Sequence, residues 1–264
     1  MMLYERDYTT LTPKEEEFLK RIENNQGKEL RLSKIIRYGD LPKPIRHYKS
    51  LFPNHYLDAY DLKAAEEPRK ITNAFLTTLD NPETTERTLL DFIKKNKAYF
   101  IIGSLMNKYP FGHHDAFIFP EFQLGSSFQV DYLLVGRNSG GYEFIFVELE
   151  DPYKQITLKD GELGAAFTKG IRQVRNWKHW LEENFDSLNV TFEKYKHPNM
   201  MLPKEFFKLD MSRYHYIVVA GRRKDFNEKT YRLARLSKLE NKIELLHYDN
   251  LYDSAIGMIG RATY

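Results

Sequence analysis

Two periods of hydrophobic spacing alternate along the chain, and the points where they switch mark its elements. Thr12-Pro13-Lys14-Glu15 joins an N-cap, a proline at the first helical position and a capping-box glutamate. It predicts a helix through "FLKRIENNQ" that stops at Gly27. "ELRLSKII" (29–36) reads as a strand, "GDLPKPIRHYKSLFPN" as proline-broken irregular chain, and residues 56–79 as helical. The Asp80-Asn81-Pro82 break divides an N-terminal extension, 1–80, from a second unit, 81–264. Nothing in the extension suggests chemistry.

The second unit opens with a helix in "PETTERTLLDFIKKNKAYF", where Leu89, Leu90 and Ile93 form an apolar stripe that also carries Glu86. "AFIFPEFQLGSSFQVDYLLV" is extended, and "GRNSGG" (136–141) turns it into a further strand, "YEFIFVELE" (142–150), closed by Asp151-Pro152. "ELGAAFTKGIRQVRNWKHWLEEN" is an amphipathic helix with Phe167, Ile171, Val174, Trp177 and Leu181 on its apolar face. "YHYIVVAGR" (214–222) is a buried strand, and "KIELLHYDNLYDSAIGMI" closes the chain as strand then helix. The order predicts an α/β fold, a central mixed sheet flanked by helices.

Composition narrows the class without naming it. The 264 residues are 42% hydrophobic, ample for a packed core, and no apolar run is long enough for a membrane span. The N-terminus lacks the apolar stretch of a signal peptide. The absence of cysteine excludes disulfides, thiolate metal sites and cysteine nucleophiles. A cytoplasmic protein is the expectation. The net charge of +3 does not announce a polyanion partner by itself, so clustering of the basic residues has to carry that signal.

Acids inside the hairpin strands are the anomaly. Asp131 lies in one strand and Glu148 and Glu150 in the next, although an unpaired buried carboxylate costs several kcal/mol. Strand alternation puts Glu148 and Glu150 on one face and Ile145, Val147 and Leu149 on the other. The short turn brings Asp131 towards the same end of the sheet. Carboxylates converging there repel one another unless a cation joins them, and hard oxygen donors on a rigid strand pair suit Mg2+ or Mn2+. Such an ion activates water in phosphodiester cleavage. The plain alternative is a set of strand acids facing solvent.

"PEFQLGSSFQVDYLLV", "YEFIFVELEDP", "AFTKGIRQVRNW", "IVVAGRR" and "HYDNLYDSA" follow one another in an order that resembles the Shedu anti-phage nuclease domain, a member of the PD-(D/E)xK superfamily. The resemblance covers roughly residues 81–264. It implies a restriction-endonuclease-like core that cuts DNA with a divalent metal, and a homo-oligomer. It makes Asp131 the metal-binding aspartate and Glu148 the acid of the (D/E)xK element. Gln173 matches the glutamine of a QxxxY-like helical motif, with Trp177 in place of the tyrosine.

The chain departs from the superfamily at Glu150, where a lysine normally stands. A carboxylate there can bind a second metal, or a lysine from elsewhere can take over the lost role. Lys169, four residues before Gln173 and so on the same helix face, is the first candidate; Lys154 is the second. Glu121 and Glu86 compete for places at the centre, although Glu86 also reads as a helix N-terminal glutamate favoured by the dipole.

Arg172, Arg175, Lys178, Arg222, Arg223 and Lys224 are candidate phosphate contacts, each equally readable as a solvated face. His113-His114 reads as loop, and Trp177 and Trp180 as packing residues. Two functions remain open: a metal-dependent DNA endonuclease, and a catalytically silent relative that serves as a DNA-binding or assembly module. Glycoside hydrolysis fits poorly, because two glutamates on one strand face cannot flank a sugar from opposite sides.

Overall fold

A computed structural model of the chain describes residues 3–26, 41–261 and 263–264. The capped helix forms as expected: α1 spans Pro13–Gln26, with the Thr12 N–H donating to Glu15 and the Glu15 N–H returning to the Thr12 hydroxyl. Its stop at Gly27 and the strand expected over 29–36 lie outside the described residues. The segment expected to be irregular holds a short helix, α2 (Lys43–Tyr48), because a proline in the first turn does not interrupt helical hydrogen bonding.

The single helix expected over 56–79 is broken. Tyr56 pairs as an extended residue with Phe117, a 3-10 turn follows at Ala59–Lys63, and helix α3 begins only at Glu66 (Glu66–Asp80). Asp58 causes the break by accepting the Tyr60 N–H and ion-pairing with the buried Arg46. After the Asn81-Pro82 turn come α4 (Glu86–Lys95) and α5 (Tyr99–Gly103).

Five strands follow in sequence order across one sheet: β1 (Asp115–Leu124), β2 (Phe128–Asn138), β3 (Gly141–Leu149), β4 (Tyr214–Val219) and β5 (Ile243–Leu246). β1, β2 and β3 are antiparallel, whereas β3, β4 and β5 are parallel. The sheet is therefore mixed. The β2–β3 turn is tighter than "GRNSGG" suggested: β2 runs to Asn138, which pairs with Gly141, and Gly136 is a strand residue whose missing Cβ leaves room for the Phe111 ring.

Each parallel crossover carries a helix. α6 (Ala165–Glu193) links β3 to β4 and α7 (Glu228–Asn241) links β4 to β5; α8 (Tyr248–Met258) closes the fold. α6 covers one face, where Val174, Trp177 and Leu181 join Phe144, Phe146, Tyr216 and Val218 in one core. The other face packs Ile145, Val147, Leu149, Ile217 and Val219 with Phe75 and Leu79 of α3, Leu89 and Ile93 of α4, and Leu251 and Ala255 of α8. Both faces of the parallel half are thus covered, as such sheets require. Among the described residues no helix is long and apolar enough to cross a membrane.

Candidate active site

The ladder between β2 and β3 ends at Tyr132 and Val147. One step further, Asp131 accepts the backbone N–H of Leu149 at 2.7 Å, so a side chain replaces a strand carbonyl and the two strands splay beyond it. β3 continues alongside β4, Glu148 in register with Val218 and the Glu150 N–H donating to the Val219 carbonyl. Glu148 and Glu150 follow Phe144 and Phe146 on the face that α6 covers, and they are only 3% and 2% exposed.

α6 reaches this pair because residue 170 is glycine. A Cβ there would lie 2.4 Å from a Val218 methyl and 3.4 Å from Glu150 Cγ, so any larger residue would push the helix away. With the helix this close, Lys169 Nζ donates to Glu150 Oε2 at 2.8 Å and stands 3.9 Å from Glu86 Oε2. Glu86, the first residue of α4 after the Thr85 cap, thus joins the cluster from the opposite layer. Gln173, one turn beyond Lys169, has its carbonyl oxygen buried and without a hydrogen-bond partner. Glu148 Oε2 and Glu150 Oε1 share that condition.

Four carboxyl groups therefore face one ammonium. Burial pushes the Glu148 carboxyl up to about 10, with Asp131, Glu150 and Glu86 adding to the rise and Lys169 opposing it. Burial likewise raises Asp131 to about 7, against the Leu149 N–H, which favours its charge. Glu150 is raised by burial and held back by Lys169. Burial works against the charge of Lys169, yet Glu150, Glu86 and Glu148 outweigh it and raise the lysine. A cluster in which negative charge is disfavoured and buried oxygens lack donors is short of positive charge.

Hard oxygen donors left unpartnered match the chemistry of Mg2+ or Mn2+. Among the described residues no group of three His, Asp or Glu side chains is arranged, as it stands, to hold a metal ion. Asp131 is turned to the Leu149 N–H and Glu150 to Lys169, so a cation would have to gather these carboxylates by rotation about their side-chain bonds.

A family model described as Shedu protein SduA, C-terminal, matches residues 83–252. The chain belongs to the Shedu family. That membership associates it with anti-phage defence. No curated protein matches the chain as a relative. The Shedu-matched segment contains Glu86, Asp131, Glu148, Glu150, Lys169 and Gln173, and also one residue that sequence reasoning passed over. Tyr248, buried at the start of α8, donates its hydroxyl to the Glu150 carbonyl at 2.7 Å. Its hydroxyl is raised well above the usual tyrosine range by burial and by Asp131, Glu86 and Glu150. The only signal for it was its place in "HYDNLYDSA", within the resemblance.

The remaining candidates separate. Glu121 has a left-handed backbone, φ +50°, and the pairs Pro120–Tyr132 and Phe122–Val130 bracket it opposite Asp131. Its carboxylate is half exposed, 3.8 Å from Lys94, and lines a cleft that Asp131 also borders. It is not joined to Glu148 and Glu150. Lys154 is exposed, with its charge felt at Glu150, and Arg172 and Arg175 are exposed on α6 beyond Lys169. Lys178 is held by the Asn241 carbonyl and lies 4.6 Å from the Tyr216 ring.

Arg222 is not a phosphate contact. Its buried guanidinium donates to the Leu79 carbonyl, the Tyr153 hydroxyl, Asp80 and both oxygens of Asp249, which leaves nothing for a ligand. Arg223 is half exposed, but its guanidinium is paired with Asp253 and its N–H with Asp249. His113 and His114 are exposed loop residues, and Trp177 and Trp180 are core, as expected.

Proposed function

We propose that the chain is a divalent-metal-dependent DNA endonuclease serving anti-phage defence, with Asp131 and Glu148 as the principal holders of Mg2+ or Mn2+. A divalent ion there supplies an activated water and stabilises the charge that builds on the phosphate. The observation that carries this reading is the set of buried, unpartnered oxygens on Glu148, Glu150 and Gln173 beside a lysine from another element.

The protein's own groups divide the remaining work. Lys169 brings an ammonium to the residue that stands where the superfamily has lysine, so the helix restores the positive charge that the strand lost. Glu86 supports that ammonium from α4. Arg172 and Arg175, exposed beyond Lys169, hold phosphates of the incoming strand. Tyr248 fixes the backbone of Glu150 and so the point from which its carboxyl group reaches into the cluster. Homo-oligomerisation and a cytoplasmic location belong to the same reading.

A second reading has one observation in its favour. Glu150 and Lys169 neutralise each other in a close pair, which is also what a silent nuclease fold retained for binding DNA would contain. Purified protein incubated with linear and circular DNA in Mg2+, Mn2+ or EDTA separates the two. Cleavage with either ion and none in EDTA is expected. Binding without cleavage under every condition would leave the silent module standing.

A further inference from the structure

We infer that Lys169 is a tethered cation that occupies the acid cluster in the metal-free protein and has to leave Glu150 when a divalent ion enters. The inference rests on the metal reading proposed above and concerns what that ion must displace. Among the described residues, the ion pairs made by these four carboxyl groups both belong to Lys169, one to Glu150 and one to Glu86. The four acids come from α4, β2 and β3 with the residue just past its end, Glu150, and Lys169 reaches them from another element, α6. One ammonium thus bridges the two helical layers at the open end of the β2–β3 ladder.

The division of oxygens on Glu150 makes the competition specific. Oε2 is taken by Lys169, whereas Oε1 is buried and has no partner. A metal drawing on Glu150 gains its second oxygen only if the lysine goes. Lys169 can move: its side chain is 48% exposed, and among the described residues its hydrogen bond is to Glu150, with Glu86 at 3.9 Å. The backbone of Glu150 cannot follow it, being held through its N–H to Val219 and its carbonyl to Tyr248, so the carboxylate stays within a side chain's reach of the cluster. Metal loading therefore swings the ammonium outward, to the exposed side of α6 that also carries Arg172, where a phosphate would approach.

The test measures metal binding without DNA. The full chain and its variants are titrated with Mn2+ at fixed pH and ionic strength, with free Mn2+ read by electron paramagnetic resonance, and are melted in EDTA. Lys169→Met is expected to bind Mn2+ about tenfold more tightly, the scale of removing one unit charge at contact distance from a partly solvated site. It should also melt at a lower temperature than wild type in EDTA, since the acids lose their counter-ion. Lys169→Arg, which keeps the charge, should stay near the wild-type Kd. Lys154→Met, which removes an exposed charge that Glu150 also feels, should change it by less than about twofold. Unchanged or weaker Mn2+ binding by Lys169→Met would overturn the tethered cation. If Asp131→Ala then abolishes binding, the metal centre survives without it. No Mn2+ binding by wild type or any variant would remove both.

Discussion

The Leu149 N–H donates to the Asp131 carboxylate at 2.7 Å just past the last β2–β3 pair, Asp131 one residue beyond Tyr132 and Leu149 two beyond Val147. Asp131 therefore has a structural duty as well as a proposed metal-binding one, and two substitutions separate them. Asparagine keeps an acceptor for Leu149 and removes a charge that burial disfavours. Asp131→Asn should melt at or above the wild-type temperature in EDTA while losing DNA cleavage by roughly 10²-fold or more. Asp131→Ala should lose cleavage as well, and an additional ~1–3 kcal/mol of stability, because it strands a buried donor. Thermal melts beside single-turnover cleavage check both.

The acid cluster should make the metal-free protein lose stability as pH rises. Glu148 ordinarily titrates at 4.5 and is raised to about 10 in the fold. Below 4.5 both folded and unfolded chains hold the proton, so Glu148 contributes no pH dependence there. Between 4.5 and 10 only the folded chain keeps it, the unfolded state binds fewer protons, and stability falls with pH. Asp131 acts in the same sense up to about 7. In EDTA, the melting temperature of Glu148→Gln minus that of wild type should therefore grow between pH 5 and pH 9. A gain of at least ~3 °C is expected, the scale of one kcal/mol in a chain of this size. A gap that stays flat would show that Glu148 is not carrying this burden.

The arginines should divide into a structural and a binding class. Arg222→Ala leaves Asp249, the Leu79 carbonyl and the Tyr153 hydroxyl without their shared donor and should cost about 2–4 kcal/mol of stability. Arg172→Ala/Arg175→Ala removes exposed side chains and should leave the melting temperature within about 1–2 °C of wild type. For DNA affinity the order reverses. The double variant should reduce the slope of log Kd against log salt by roughly 1 per arginine, whereas folded Arg222→Ala should keep it. Fluorescence anisotropy over a series of salt concentrations gives the slopes.

The sheet was legible because its strands are apolar runs bounded by Gly, Pro and Asp, and α6 because its stripe from Phe167 to Leu181 is continuous. α7 escaped notice: its apolar pattern is weak, and its one strong signal was the Asn227–Thr230 capping box. Acids on strands pointed to Asp131, Glu148 and Glu150 directly, and helix spacing pointed to Lys169. Arg222 misled because a basic residue after a strand reads alike whether it meets solvent or Asp80 and Asp249. That distinction depends on contacts across 27 and 142 positions, which no local pattern encodes. Tyr248 was illegible for the same reason, since its partner carbonyl lies 98 positions away.

The family match begins at residue 83, yet a chain starting at Asn81 should not fold, although it would contain every acid of the candidate site. Phe75 and Leu79 of α3 are fully buried among the residues under Val147 and Leu149, and α3 packs on α8. The Leu79 carbonyl accepts from both Arg222 and Tyr153, and Tyr153 lies just beyond Glu150. On the other face Phe52, also fully buried, meets the rings of Phe117 and Phe119 on β1 at 5.1 Å each. Removing three such side chains at ~2–5 kcal/mol apiece reaches the whole stability of an ordinary domain, about 5–15 kcal/mol. A chain starting at Leu41 keeps Phe52, Phe75 and Leu79 and gives up α1 with its small cluster around Ile22. It should show a cooperative melt and retain Mn2+ binding, while the chain starting at Asn81 should show neither. Near-ultraviolet circular dichroism during heating decides this, and a full-length-like transition in the shorter chain would mean that residues before 81 only decorate the core.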